Sequence, residues 1–172
     1  MANILRILMI LGVVFLSQNI NGESLPEYRL KAAFVYNFIA YTEWPNDLGS
    51  DVNLCLIGNH PFGDEIDSLD GRHVNQFQVA VKFKALSDDF LDCEAVFVSS
   101  DAIKYLPEIL QKLNDNPVLT IADTESAIDR GIMLNMRIAH EKLFFEANQK
   151  SARNAGLMLS ARLLRLAARV YQ

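Results

Sequence analysis

The chain has 172 residues, of which 51% are hydrophobic and 22% charged, and its formal net charge is −5. Length and composition predict one globular domain and exclude disordered and fibrous proteins. Sixteen basic residues against twenty-one acidic ones lack the basic excess of a phosphate-binding surface, so no nucleic acid partner is expected.

The first segment, residues 1–22, has the pattern of a cleaved signal peptide. An apolar run from Ile4 to Leu16 is interrupted only by Arg6 and is shorter than the roughly 20 residues that a membrane span needs. Polar and small residues follow, so cleavage is expected after Gly22; an uncleaved signal anchor is the alternative. Residues 23–172 would then be a single soluble domain in the periplasm.

Two cysteines, Cys55 and Cys93, remain in the exported part of the chain. An even number without a CxxC or CxxH spacing favours a disulfide over zinc in an oxidising compartment. Two separately buried thiols are the alternative, because each cysteine lies in an apolar, strand-like run.

Periodicity and turn signals predict alternating helices and strands in the rest of the chain. The predicted helices are an amphipathic helix from Pro26 that stops at Pro45, a helix capped by Asn59 that ends at Leu69, a helix at 102–113, a turn at 127–131 and a long helix at 151–171. The predicted strands are 52–58, 78–83, 95–98 and 117–121, followed by a hairpin of 133–138 and 143–147. This order predicts a single-domain α/β sandwich, with a mostly parallel central sheet, an antiparallel hairpin at its edge and flanking helices.

No catalytic pattern emerges from the sequence. It contains no GxSxG nucleophile elbow, no GxxxxGK[ST] phosphate loop and no GxGxxG turn. The three histidines are scattered and belong to no metal-binding spacing. We therefore expect no catalytic residue, no metal and no cofactor, and a hydrolase assembled only by the tertiary fold is a remote alternative.

The first predicted helix is rich in aromatic residues. Phe34, Tyr36, Phe38, Tyr41 and Trp44 lie within eleven residues and would point to more than one side of a helix. Core packing accounts for most of them, but a single buried stripe does not require all five. The excess predicts that part of this helix forms a dimer or partner interface.

Several spaced motifs resemble the YfiR-like periplasmic proteins. The segment YRLKAAFVYNFIAYTEWP at 28–45 is similar to the family's KAAFxYNF run ending in EWP, and LCLIGNHPF and DCEAVFVSS are similar to its two cysteine-containing strands. The resemblance covers residues 28–167. It implies that the family's paired cysteines correspond to Cys55 and Cys93.

The resemblance also implies a function without catalysis. Such proteins bind the periplasmic domain of an inner-membrane diguanylate cyclase and repress cyclic di-GMP synthesis, which controls attachment and biofilm. An outer-membrane lipoprotein that sequesters the repressor and a homodimeric state are further expectations. The alternative is a periplasmic small-ligand sensor that acts on a histidine kinase or a transporter, with its pocket at the strand ends of the α/β sheet.

Overall fold

A computed structural model describes residues 25–45, 49–60, 62–113 and 116–172. The predicted signal peptide lies outside these residues. The helices are α1 (Leu25–Ala40), α2 (Asp64–Asp67), α3 (Leu106–Lys112), α4 (Gln149–Asn154) and α5 (Ala161–Leu166), with 3₁₀ turns at Ile103–Tyr105 and Ile128–Arg130. The strands are β1 (Thr42–Glu43), β2 (Asp51–Ile57), β3 (His73–Val74), β4 (Phe77–Lys84), β5 (Ala95–Val98), β6 (Leu119–Ala122), β7 (Leu134–Ala139), β8 (Lys142–Asn148), β9 (Met158–Leu159) and β10 (Arg169–Tyr171).

Eight of these strands form one sheet in the order β10-β8-β7-β6-β5-β2-β4-β3. The pairs β2–β4, β2–β5, β5–β6, β6–β7 and β8–β10 are parallel, whereas β3–β4 and β7–β8 are antiparallel. Short β1 and β9 form a separate antiparallel pair. The predicted fold class, a mostly parallel sheet with an antiparallel hairpin, is confirmed.

The sheet is covered on both faces, as a parallel sheet requires. One cluster packs α1 and the C-terminal elements against the sheet through side chains such as Phe38, Leu54 and Leu163. The other cluster packs α3 on the opposite face through Leu106 and Ile109, and it contains both cysteines. The apolar strand β5 contributes to both clusters because its side chains alternate between the faces. None of the described helices has both the length and the apolar character that crossing a bilayer demands.

Three predicted helices are shorter than the sequence pattern indicated. Helix α1 ends at Ala40, since Thr42 and Glu43 pair with Leu159 and Met158 as strands. The helix expected up to Leu69 is reduced to four residues, α2, which begins after Gly63. The helix expected from Ala102 begins as a 3₁₀ turn and becomes α3 at Leu106.

The long C-terminal helix predicted at 151–171 is wrong. Helix α4 ends before Gly156, whose φ of 78° is a left-handed conformation that favours glycine. A new helix, α5, then begins after Ser160, whose hydroxyl oxygen accepts a hydrogen bond from the N–H of Leu163 at 3.2 Å. The chain ends in β10, which pairs with β8 and extends the sheet beyond the hairpin.

Candidate binding groove

A groove of about 420 Å³ lies between α1, the β7–β8 hairpin and α5. Helix α1 contributes side chains at helical spacing, which places them on one face. Strand β8 supplies one wall and α5 the other. The lining residues are Phe34, Asn37, Phe38, Tyr41, Leu143, Phe144, Phe145, Arg162, Leu163 and Leu166.

An aromatic cluster forms the floor of the groove. The ring of Phe145 lies 5.0 Å from that of Phe38 and 5.9 Å from that of Phe34, measured between centroids, in edge-to-face arrangements. Phe38 and Phe145 are buried, while Phe34 is half-buried. Such contacts fix the shape of the floor, because each ring restricts the rotamers of its neighbours.

A cation and an amide lie among these apolar side chains. The guanidinium of Arg162 lies over the ring of Tyr41, with 5.0 Å between its carbon and the ring centroid. The N–H of Ser160 donates to the carbonyl oxygen of Tyr41 at 3.0 Å, which joins α5 to the end of α1. Asn37 is exposed, and its amide donates to the carbonyl oxygen of Ala33 at 2.9 Å. The groove can therefore receive an apolar group that also carries an anionic or hydrogen-bonding end.

The five aromatic residues singled out in the sequence separate into two groups. Phe34, Phe38 and Tyr41 line the groove. Tyr36 and Trp44 lie elsewhere: the hydroxyl of Tyr36 donates to the carbonyl oxygen of His73 at 3.0 Å, and the indole N–H of Trp44 donates to that of Glu94 at 3.3 Å. All but Phe38 are half-buried.

Sequence reasoning did not include Phe144, Leu166 and Arg162 among the interface residues. The long helix predicted at 151–171 would place Arg162, Arg165 and Arg169 on one helix, whereas the structure divides them between α5 and β10. The contact between Arg162 and Tyr41 joins residues far apart in the chain, so no local pattern could indicate it.

A buried ion cluster fixes α1 to the sheet. The ammonium of Lys31, which is 6% exposed, lies 2.8 Å from a carboxylate oxygen of Asp123 and 2.7 Å from one of Glu27. Burial by itself lowers the pKa of Lys31, but the hydrogen bonds to Asp123 and Glu27 outweigh that effect and raise the pKa above 10.5. Asp123 directly follows β6, so the cluster sets the position of the helix that forms one side of the groove.

The crevice at the carboxyl ends of β2 and β5 is filled by the protein itself. The strand order reverses between these two strands, which is where open α/β sheets usually bind ligands. There the carboxylate of Asp101 accepts a hydrogen bond from the N–H of Asn59 at 3.1 Å and another from the hydroxyl of Ser99. These bonds hold the pKa of Asp101 below its usual value.

Gly58 shows how tightly this crevice is closed. Its φ is 90°, and a Cβ at this position would lie 2.2 Å from the hydroxyl oxygen of Ser99 and 2.7 Å from a carboxylate oxygen of Asp101. Only glycine fits both the conformation and the space. A pocket at the strand ends therefore has no room between β2 and β5, whereas a more open depression of about 580 Å³ lies beside it at the carboxyl ends of β2 and β4, lined by residues that include Gly58, Asn59 and Phe83.

The structure joins Cys55 and Cys93 in a disulfide, with their Cα atoms 5.8 Å apart. Both are buried, and they link the central strand β2 to the residue pair that precedes β5. Asp92 lies beside the bond and forms ion pairs with Lys82 at 3.0 Å and Lys84 at 2.7 Å. Hydrogen bonds from these two ammonium groups lower the pKa of Asp92 to about 2, so its carboxylate stays charged even in moderate acid.

Within the described residues, one group of three side chains could hold a metal ion: Cys55, Asp92 and Cys93. The two sulfur atoms of this group are consumed by the disulfide, and two lysine ammonium groups occupy the carboxylate. The cluster does not fit a cation in this state, because a thiolate and not a disulfide sulfur is the usual ligand.

Comparison with known proteins identifies one matching family and also shows that the fold is similar to that of other solved structures. A family model described as YfiR/HmsC-like matches residues 28–168. Among solved structures, an ABC domain from Streptococcus pneumonia in complex with L-Trp has a TM-score of 0.58 at 9% sequence identity, and a conserved domain protein from Vibrio cholerae has a TM-score of 0.56 at 8%. Each alignment covers 83% of this chain and 60% of the other chain, so these two structures share the fold alone.

Proposed function

The chain belongs to the YfiR/HmsC-like family, and we propose that it is a periplasmic repressor that binds the periplasmic domain of an inner-membrane diguanylate cyclase. Binding holds the cyclase inactive and keeps cyclic di-GMP low, which limits attachment and biofilm formation. The predicted signal peptide agrees with this location. A homodimer and an outer-membrane lipoprotein that sequesters the repressor belong to the same proposal.

The observation that carries the proposal is the groove between α1, the hairpin and α5. It presents the half-buried aromatic side chains of Phe34 and Tyr41 beside the exposed cation of Arg162. Aromatic and arginine side chains are the residues that most often dominate protein–protein affinity. The groove therefore has the composition of a partner-binding surface.

Repression requires a difference in affinity between two states of the cyclase. A repressor that bound the active and inactive states with equal affinity would not change the equilibrium between them, however tight the complex. Lowering the active fraction from one half to about one hundredth requires about a hundredfold preference for the inactive state. The groove would have to contact a surface of the cyclase that changes between those states.

A second candidate function is a periplasmic small-ligand sensor that acts on a histidine kinase or transporter. The combination of aromatic rings and Arg162 in the groove suits a small aromatic carboxylate, and the Streptococcus pneumonia domain of the same fold is complexed with L-Trp. Asp101 fills the crevice between β2 and β5, and the aromatic rings and the cation that such a ligand needs lie in the groove, so the groove is where we propose that it would bind. Calorimetry with aromatic amino acids tests this candidate directly.

We expect Tyr41→Ala to weaken binding to the periplasmic domain of the cyclase by about thirtyfold, since truncation of an aromatic anchor in an interface costs about 2 kcal/mol. The measurement is surface plasmon resonance with the purified periplasmic domain of the cognate membrane cyclase. Tyr105→Ala is the matched control, because Tyr105 also lies beneath a cation, Lys104, is 40% exposed and lies outside the groove. Equal loss in both variants, or no loss in Tyr41→Ala, would count against the groove as the binding surface.

A further inference from the structure

The charge of this protein is divided unevenly along the chain. Residues 149–172 contain five basic residues and no aspartate or glutamate. The other 148 residues contain eleven basic residues and all twenty-one acidic ones, a net charge of −10. A protein that is acidic overall therefore has a strongly basic C-terminal segment.

Within residues 25–45, 49–60, 62–113 and 116–172, these five cations are exposed and have no ion-pair partner. Lys150, Arg153, Arg162, Arg165 and Arg169 are all exposed. Among the described residues, the ion pairs within 4.0 Å involve other cations. Two of the five lie over aromatic rings: Arg162 over Tyr41 and Arg169 over Tyr171.

Glu43, Glu146 and Asp129 are acidic residues that approach this segment, and Asp129 lies close enough to Tyr171 to act on it through its charge. Strand pairing places Glu43 beside Met158 and Glu146 beside Arg169. They can offset part of the positive charge at the edges of the segment. The arginines of α5, Arg162 and Arg165, have no acidic residue on their own helix.

Two large apolar side chains are exposed on the same segment. Met158 on β9 is 60% exposed and Leu166 on α5 is 65% exposed. Helix α4 packs against both β9 and β10, and α5 connects these two strands in the chain. The cations of this segment, together with Met158 and Leu166, are called the basic C-terminal surface below.

We propose that the basic C-terminal surface docks the protein on an anionic phospholipid bilayer. Headgroup phosphates attract the unpaired cations, and the two apolar side chains insert between the headgroups. The charges lie on three separate elements, α4, α5 and β10, and lipid headgroups, which diffuse within the bilayer, require no fixed spacing between these charges. The negative charge on the rest of the chain is repelled, so the protein binds with this surface toward the membrane.

The proposal goes beyond repression of a cyclase. Because Arg162 and Leu166 also line the groove, its test uses no cyclase. Purified protein is sedimented with vesicles of phosphatidylcholine alone and with vesicles that also contain phosphatidylglycerol, at low and at high salt. We expect binding only to the anionic vesicles, and we expect salt to weaken it because screening shortens the range of the attraction.

Charge reversal identifies the surface. Arg162→Glu/Arg165→Glu should lower the partition onto anionic vesicles by at least about tenfold. The control Arg29→Glu/Lys104→Glu makes the same change in net charge at two exposed residues outside the segment and should retain most of the binding. Circular dichroism melting of both variants establishes that they are folded.

Three results would overturn the proposal. The first is equal binding to neutral and anionic vesicles, which includes no binding to either. The second is equal loss of binding in the two double variants. The third is absence of vesicle binding together with salt-sensitive self-association that only Arg162→Glu/Arg165→Glu abolishes. The last result would assign the surface to a second copy of this chain.

Discussion

Removal of the disulfide is expected to lower the free energy of unfolding by roughly 4 kcal/mol. Cys55 and Cys93 close a loop of 39 residues, counted inclusively from their separation of 38, and the chain-entropy model gives roughly that value for such a loop. For a domain of about 150 residues, each kcal/mol changes the melting temperature by about 2 to 4 °C. Thermal denaturation of Cys55→Ala should therefore show a decrease of about 8 to 16 °C.

Three variants test whether the effect comes from the bond. Cys55→Ala, Cys93→Ala and the double variant should be destabilised by similar amounts, because each breaks the same crosslink. Reduction of the wild-type protein should abolish most of the difference in melting temperature between it and the three variants. Two free thiols found by mass spectrometry of the purified protein, or additive losses in the double variant, would contradict this account.

The second large effect is expected at the buried ion cluster. Lys31→Met leaves the carboxylate of Asp123 buried without its cation, and such an uncompensated charge typically costs about 3 to 5 kcal/mol. Urea denaturation should show this loss. Since the pKa of Lys31 is raised in the folded state, its contribution is fully present below pH 10.5 and is lost only as the pH rises further.

Two controls separate charge burial from other causes. Arg137→Met breaks the exposed ion pair with Glu125 and should cost less than about 1 kcal/mol. Lys31→Met/Asp123→Leu removes both buried charges and should recover much of the stability lost in Lys31→Met. Equal losses in Lys31→Met and Arg137→Met would mean that the Lys31 cluster does not anchor α1.

Much of the fold could be predicted because local sequence and tertiary packing agree there. The strand 95–98 is confirmed residue for residue, since an uninterrupted apolar run suits a strand buried on both faces. The turn at 127–131 ends at Gly131 in a left-handed conformation, as its glycine indicated. At both positions the local residue pattern is compatible with only one type of backbone structure.

The C-terminal region could not be predicted in the same way. Ala152, Ala155, Leu159 and Leu163 recur at helical spacing, and this periodicity outweighed the two local signals, Gly156 and Ser160. The pairing of β10 with β8 depends on residues that are distant in sequence. The groove could not be predicted for the same reason, because β8 and α5 lie far from α1 in the sequence and meet it only in the folded protein.

The proposed repression of a membrane diguanylate cyclase is measured most directly as the cellular concentration of cyclic di-GMP. In a strain that expresses the cognate cyclase, deletion of this protein should raise cyclic di-GMP, and plasmid-borne wild type should lower it again. Tyr41→Ala should restore repression poorly, whereas Tyr105→Ala should restore it fully. Unchanged cyclic di-GMP after deletion, with the cyclase present, would contradict the account.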